Sequence, residues 1–144
     1  MNWLSVFLAA LVPMVMGFIY YHKAVLGKPW MEATGMTEEK AASANMPVVL
    51  GISYVMSLIL AFFLVGFCNG AGQEGEFDSF GHGAFHGAII GIFIVLPVFV
   101  TNGLFEQHSW KLIIINSVYW IITIALMGGI VDAMNHLPND GSGM

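Results

Sequence analysis

Four apolar runs, at about residues 3–21, 46–69, 84–104 and 112–134, decide what this chain can fold into. A helix crosses a bilayer with about 20 apolar residues at 1.5 Å rise each, so every run is long enough to span. Together they use most of the 144 residues. What remains is residues 22–45, two short loops and a polar tail at 135–144, too little for a separate soluble domain. With 58% hydrophobic and 9% charged residues, the chain also lacks the polar surface to cover a globule in water. These runs predict an all-α fold: a single domain, 1–144, forming a bundle of four transmembrane helices, with an interfacial segment between helices one and two and a flexible tail.

The few charges orient the bundle. No basic residue precedes the first run, so it is expected to stay as a membrane helix and not as a cleaved signal. Lys23, Lys28 and Lys40 lie between helices one and two, and Lys111 opens helix four. The positive-inside rule then puts both termini outside and the first and third loops in the cytoplasm. A formal net charge of -5 and the lack of a basic patch exclude nucleic acid as a partner. The single cysteine, Cys68, is expected to be a packed thiol, with an intersubunit bridge as the alternative.

Prolines and caps punctuate the runs. Pro13 and Pro97 are expected to bend helices one and three. Thr37, followed by Glu38 and Glu39, reads as an N-cap, so helix two is expected to start near residue 38 and to run on through a bend at Pro47.

Two constellations stand out in the stretch FDSFGHGAFHGAIIG, residues 77–91. Gly83, Gly87 and Gly91 make a small-x-x-x-small ladder, a bare face that lets another helix come close in lipid, where no hydrophobic drive pulls helices together. Helix four offers a partner ladder in Ala125, Gly129 and Ala133, and either pairing within the chain or pairing between subunits would use these faces. His82 and His86 share a different side of helix three. Asp78 precedes His82 by four residues, and Asp132 and His136 repeat that spacing at the same end of helix four. Asp78, His82, His86, Asp132 and His136 thus form a candidate set for a metal ion with nitrogen and oxygen ligands, or for a proton-carrying network, against the plain alternative of histidines that only fasten helices.

A second polar group, Asn102, Asn116 and Tyr119, with Glu106, Ser53 and Tyr54 nearby, lies toward the other end. It reads as interhelical hydrogen bonding or as part of a ligand or proton path. Glu106, His108 and Lys111 are expected to form an ion-pair cluster. No hydroxyl nucleophile falls at the depth of the histidines, and no phosphate-binding glycine loop is present, so an enzyme is not the expectation.

The segments GFIYYHKAVLGKPWMEATGMTEEK and HGAFHGAIIGIFIVLPVFVTNGLFEQHSWKLIIINSVYWIITIALMGGI resemble the small bacterial four-helix membrane proteins grouped as domain of unknown function 1761. The likeness is carried by Gly17 with Tyr20 and Tyr21, by Gly27, Lys28, Pro29, Trp30 and Met31, by His82, Gly83, Ala84, His86 and Gly87, and by Phe105 and Glu106 with Asn116 and Tyr119. The resemblance implies a four-helix protein of the bacterial cytoplasmic membrane and supplies no activity. On the residues alone, the expected function is a non-enzymatic assembly or accessory subunit that forms a homo-oligomer or joins a larger membrane complex. The alternative is a conductor or transporter of a small solute, ion or proton with a histidine-lined outer mouth.

Overall fold

The computed structural model describes residues 1–69 and 78–135. The expectations for His136, for the tail and for most of the glycine-rich loop lie outside the described residues. Within them the chain is all-α, without a strand, and carries four helices long and apolar enough to cross a membrane: Trp3–Tyr20, Met46–Cys68, Phe80–Phe105 and Trp110–Met134. These are called the first to fourth spans. Between the first two lie a π-helical turn, Lys23–Gly27, and two short helices, Lys28–Thr34 and Glu38–Ala42.

Side-chain caps set where the spans begin. Asn2, Asn45, Ser79 and Ser109 each accept a hydrogen bond from a backbone N–H of the following first turn. Thr37 caps as expected, accepting from the Lys40 N–H at 3.1 Å. The helix it starts, however, ends at Ala42, and the second span begins anew at Met46. Pro47 explains the break, because a proline that fits the first turn of a helix would remove a hydrogen bond and clash in its interior. The third span likewise starts at Phe80, earlier than the apolar run, because Ser79 caps it. Its backbone widens into a π turn at Gly91–Val95, just ahead of Pro97, where the proline ring would crowd the preceding turn of a regular helix.

The fourth span is the centre of the bundle. Half of its membrane window is buried, against 33%, 22% and 17% for the first, second and third. Leu64, Ile124, Met127 and Val131 form the core with Ala9 and Ala10 of the first span. Against the third span the fourth comes to backbone contact. A Cβ on Gly83 would lie 2.1 Å from the Gly128 carbonyl oxygen, and one on Gly87 would lie 2.3 Å from that of Ile124. The expected glycine ladder is therefore consumed inside the chain. Its partner face is turned from the expected one: Ile121, Ile124, Ala125 and Gly128 meet the ladder, while Gly129 makes room for the Phe80 ring.

Candidate functional site

The antiparallel spans bring two polar clusters to opposite ends of the bundle, here called the histidine end and the tyrosine end. At the histidine end, Asp132 comes from the last turn of the fourth span, and His82 and His86 from the first two turns of the third. The close Gly83–Gly128 approach is what lets these short-reaching groups meet. His82 Nδ1 lies 2.8 Å from Asp132 Oδ2, and His82 Nε2 lies 2.9 Å from His86 Nε2. The Asp132 side chain is fully buried and that of His82 is 19% exposed.

Other donors complete the carboxylate. The Ser79 N–H faces Asp132 Oδ2 at 3.4 Å. The Asn69 amide, assigned the orientation that turns its nitrogen to the two carboxylates in place of a 3.3 Å bond to the Val65 carbonyl, places that nitrogen 3.2 Å from Asp132 Oδ1 and 3.2 Å from Asp78 Oδ1. Three N–H donors thus converge on Asp132, which suits a carboxylate that can only accept.

This pattern fixes the tautomers. With His82 Nδ1–H donating to Asp132, its Nε2 is an acceptor, so His86 must donate through Nε2–H. The chain then ends on the bare Nδ1 of His86, which is buried and has no hydrogen-bond partner. The rings of Phe67 and Phe85 stand nearly perpendicular to the His86 ring, at centroid distances of 5.4 and 6.1 Å.

Of the five residues expected at a metal or proton site, the structure joins Asp132, His82 and His86 directly and Asp78 through Asn69. It does not bring these four around a point. Among the described residues, no group of three or more histidine, cysteine, aspartate or glutamate side chains could hold an ion, since both nitrogens of His82 are turned onto neighbouring side chains. A knot of amides and a hydroxyl closes the end beside them. Asn135 Nδ2 donates to Ser5 Oγ at 2.6 Å, the Asn2 N–H donates to Asn135 Oδ1, and Asn2 Nδ2 donates to the Met134 carbonyl.

Sequence reasoning missed Asn69, Ser79 and Asn135. Each follows or precedes an apolar run by one residue or a few, so it reads as a helix cap, and capping is indeed part of what each does. The available signal was position, since Asn69 closes the second run at the end where Asp78 and Asp132 fall.

At the tyrosine end three phenol hydroxyls go to fixed partners, while Ser117 Oγ is buried without one. Tyr119 donates to the Pro13 carbonyl, Tyr20 to the Ile115 carbonyl at 2.8 Å and Tyr21 to Asn116 Oδ1 at 2.8 Å. Trp30, from the short helix after the first span, packs edge-on to Tyr21. Burial, and then the neighbouring Tyr20 and Tyr119, push the Tyr21 phenol well above its ordinary range, so it is a neutral donor.

Asn102 and Asn116 line a cavity of about 250 Å³ with Glu106 and His108. Tyr119 is not part of it, since its hydroxyl points back to the first span. Lys111 leaves the expected cluster too: Glu106 pairs with His108 at 3.4 Å, and Lys111 with Glu32 at 3.6 Å. A larger cavity, about 520 Å³, opens between the first and second spans over Tyr119 and Trp120 and is lined mainly by apolar side chains. Neither cavity reaches His86.

A family model described as a protein of unknown function (DUF1761) matches residues 4–131 of the chain. No curated protein and no solved structure matches it.

Proposed function

The chain belongs to the DUF1761 family of proteins of unknown function, a membership that brings no activity with it, and from the histidine end we propose a membrane protein that takes up and holds a proton. The observation that carries this is the hydrogen-bonded chain Asp132–His82–His86 ending on a buried, unpartnered imidazole nitrogen. Ionisable groups at membrane depth are costly and tend to serve proton or ion handling.

The steps follow from the tautomers. A proton arriving at His86 Nδ1 lets the His86 Nε2 proton pass to His82 Nε2. His82 is then an imidazolium against the Asp132 carboxylate, and His86 is again neutral with its protons rearranged. One proton enters and none leaves, and the chain goes from one negative charge to none.

The geometry supports uptake from one side better than conduction. Between the two polar ends the core is filled by Ala9, Ala10, Leu64, Ile90, Ile124 and Met127. The lysine distribution supports an orientation with the histidine end outside, and the family resemblance supports placing the protein in a bacterial cytoplasmic membrane.

Nitrogen NMR of histidine-labelled protein in bilayers tests the proposal. At alkaline pH, His82 should be protonated at Nδ1 and bare at Nε2, and on acidification it should gain its second proton only while His86 is intact. Independent titration of the two rings overturns the proton chain.

Assembly with a second copy or a larger complex is supported by a separate observation. The second and third spans keep most of their membrane windows open, at 22% and 17% buried. Since the glycine ladder is covered within the chain, such contacts would use these other faces. Native mass in mild detergent tests this: a monomer overturns self-assembly.

A further inference from the structure

The carboxylate at the root of the proton chain has a second carboxylate beside it. Asn69 Nδ2 is 3.2 Å from Asp132 Oδ1 and 3.2 Å from Asp78 Oδ1. Two carboxylates within reach of one another disfavour joint ionisation, and one of them would then hold a proton that the histidines should receive. An amide carries two N–H donors and can give one to each. By taking Oδ1 of Asp132, it also leaves Oδ2 for the Ser79 N–H and for His82, at 3.4 and 2.8 Å.

The geometry points to Asn69 as the positioning residue of this site: its amide separates Asp132 from Asp78 and fixes which carboxylate oxygen meets His82. This rests on the proton uptake proposed above. Among the described residues, the titratable groups that meet here are Asp132 on the fourth span, Asp78, His82 and His86 on and before the third, and buried Cys68 on the second. Asn69 also has a plain structural role, since its backbone N–H donates to the Val65 carbonyl at 3.0 Å and ends the second span. A test must separate the two roles.

The full chain in bilayers, labelled at histidine, provides it. In wild-type protein His82 should give a single set of nitrogen signals with Nδ1 protonated. Asn69→Ala should turn that set into a mixture of tautomers, because the donor shared by Asp132 and Asp78 is then lost and the Asp132 carboxylate can turn. Adding Asp78→Asn to the same chain should restore the single set, since it removes the opposing charge and supplies an amide. A capping role for Asn69 would not be rescued by a change at residue 78.

Should Asn69→Ala fail to fold, Asn69→Asp keeps the size and places a third carboxylate in the cluster, and it should give the same mixture. Wild-type signals in either Asn69 variant, or a mixture that persists in the double variant, overturn the assignment to Asn69 while the proton chain stands. A wild-type protein without the Nδ1-protonated His82 overturns both.

Discussion

The two ends of the bundle solve the same problem differently. Each buries polar side chains where the membrane offers no water, yet at the tyrosine end the three phenol hydroxyls finish on fixed acceptors: Tyr119 on Pro13, Tyr20 on Ile115 and Tyr21 on Asn116. At the histidine end the hydrogen bonds run through titratable groups and stop at an open lone pair on His86. A phenol bound to a carbonyl has one stable arrangement. An imidazole pair on a carboxylate has two, related by one proton. The first kind of network holds helices together, and the second can change state while the helices stay in place.

The largest expected effect tests whether the histidine end depends on backbone contact. A methyl group at Gly87 would sit 2.3 Å from the Ile124 carbonyl oxygen, so Gly87→Ala should cost about 3 kcal/mol or more and separate the third and fourth spans. At the tyrosine end Gly17 makes no such contact. A Cβ at Gly17 would lie 3.6 Å from the Tyr119 hydroxyl, ordinary packing, so Gly17→Ala should be neutral or stabilise by up to about 1 kcal/mol. Unfolding in mixed detergent reads both, and equal effects would abolish this contrast between the ends.

Next in size is Asp132→Ala. It takes one acceptor each from His82, Ser79 and Asn69 at a buried site, and should cost about 3 kcal/mol. Tyr119→Phe removes a single hydroxyl and should cost about 1 kcal/mol in the same assay. If Tyr119→Phe proves the more costly change, the tyrosine end is the anchor of the bundle and the histidine end is dispensable to it.

The membrane fold was legible because its cause is local and repeated: runs of apolar residues long enough to span leave few alternatives. The histidines were legible as a pair because four-residue spacing puts them on one helix side. Their pairing with Asp132 was legible only as a shared end of the membrane, since the rotation of two helices about their axes is set by which glycines interlock. Gly128 was not among the expected packing residues, although it is the one that faces Gly83. Asn69 was hidden for a different reason: an asparagine at a helix end has a sufficient local explanation, and nothing in one sequence shows that its side chain also reaches two carboxylates.

The flanks of the tyrosine end give the smaller effects. Tyr21 is raised above the ordinary tyrosine value of 10.0 by burial and then by its tyrosine neighbours. Its phenol therefore stabilises the fold fully below that value, and the contribution is lost as the pH rises toward the value in the folded chain. Tyrosinate absorbance should show a component that ionises late and is missing from Tyr21→Phe. If Tyr21 ionises with freely exposed tyrosines, its hydroxyl does not hold Asn116 in the way described.

The smallest effect belongs to Lys23 and Glu38, which join the end of the first span to the short helix Glu38–Ala42. The Lys23 ammonium, by hydrogen bond and then by charge, lowers the Glu38 carboxyl from its ordinary value of 4.5. Because the shift is downward, the contribution is complete above that value and disappears as the pH falls below it. Both side chains are largely exposed, at 58% and 73%, so salt should screen the pair as effectively as acid removes it. Hydrogen exchange at Ala41 and Ser43, whose N–H groups bond back to Thr37 and Glu39, reads the helix directly. Exchange should quicken slightly in acid or in high salt, and Lys23→Gln should remove the response to both. At the histidine end, by contrast, Asp132 is fully buried and His82 mostly so, which predicts a protonation step nearly indifferent to salt. Equal salt sensitivity at the two ends would mean that water reaches the histidine chain, and the distinction between a fixed surface pair and a sheltered proton site would fall.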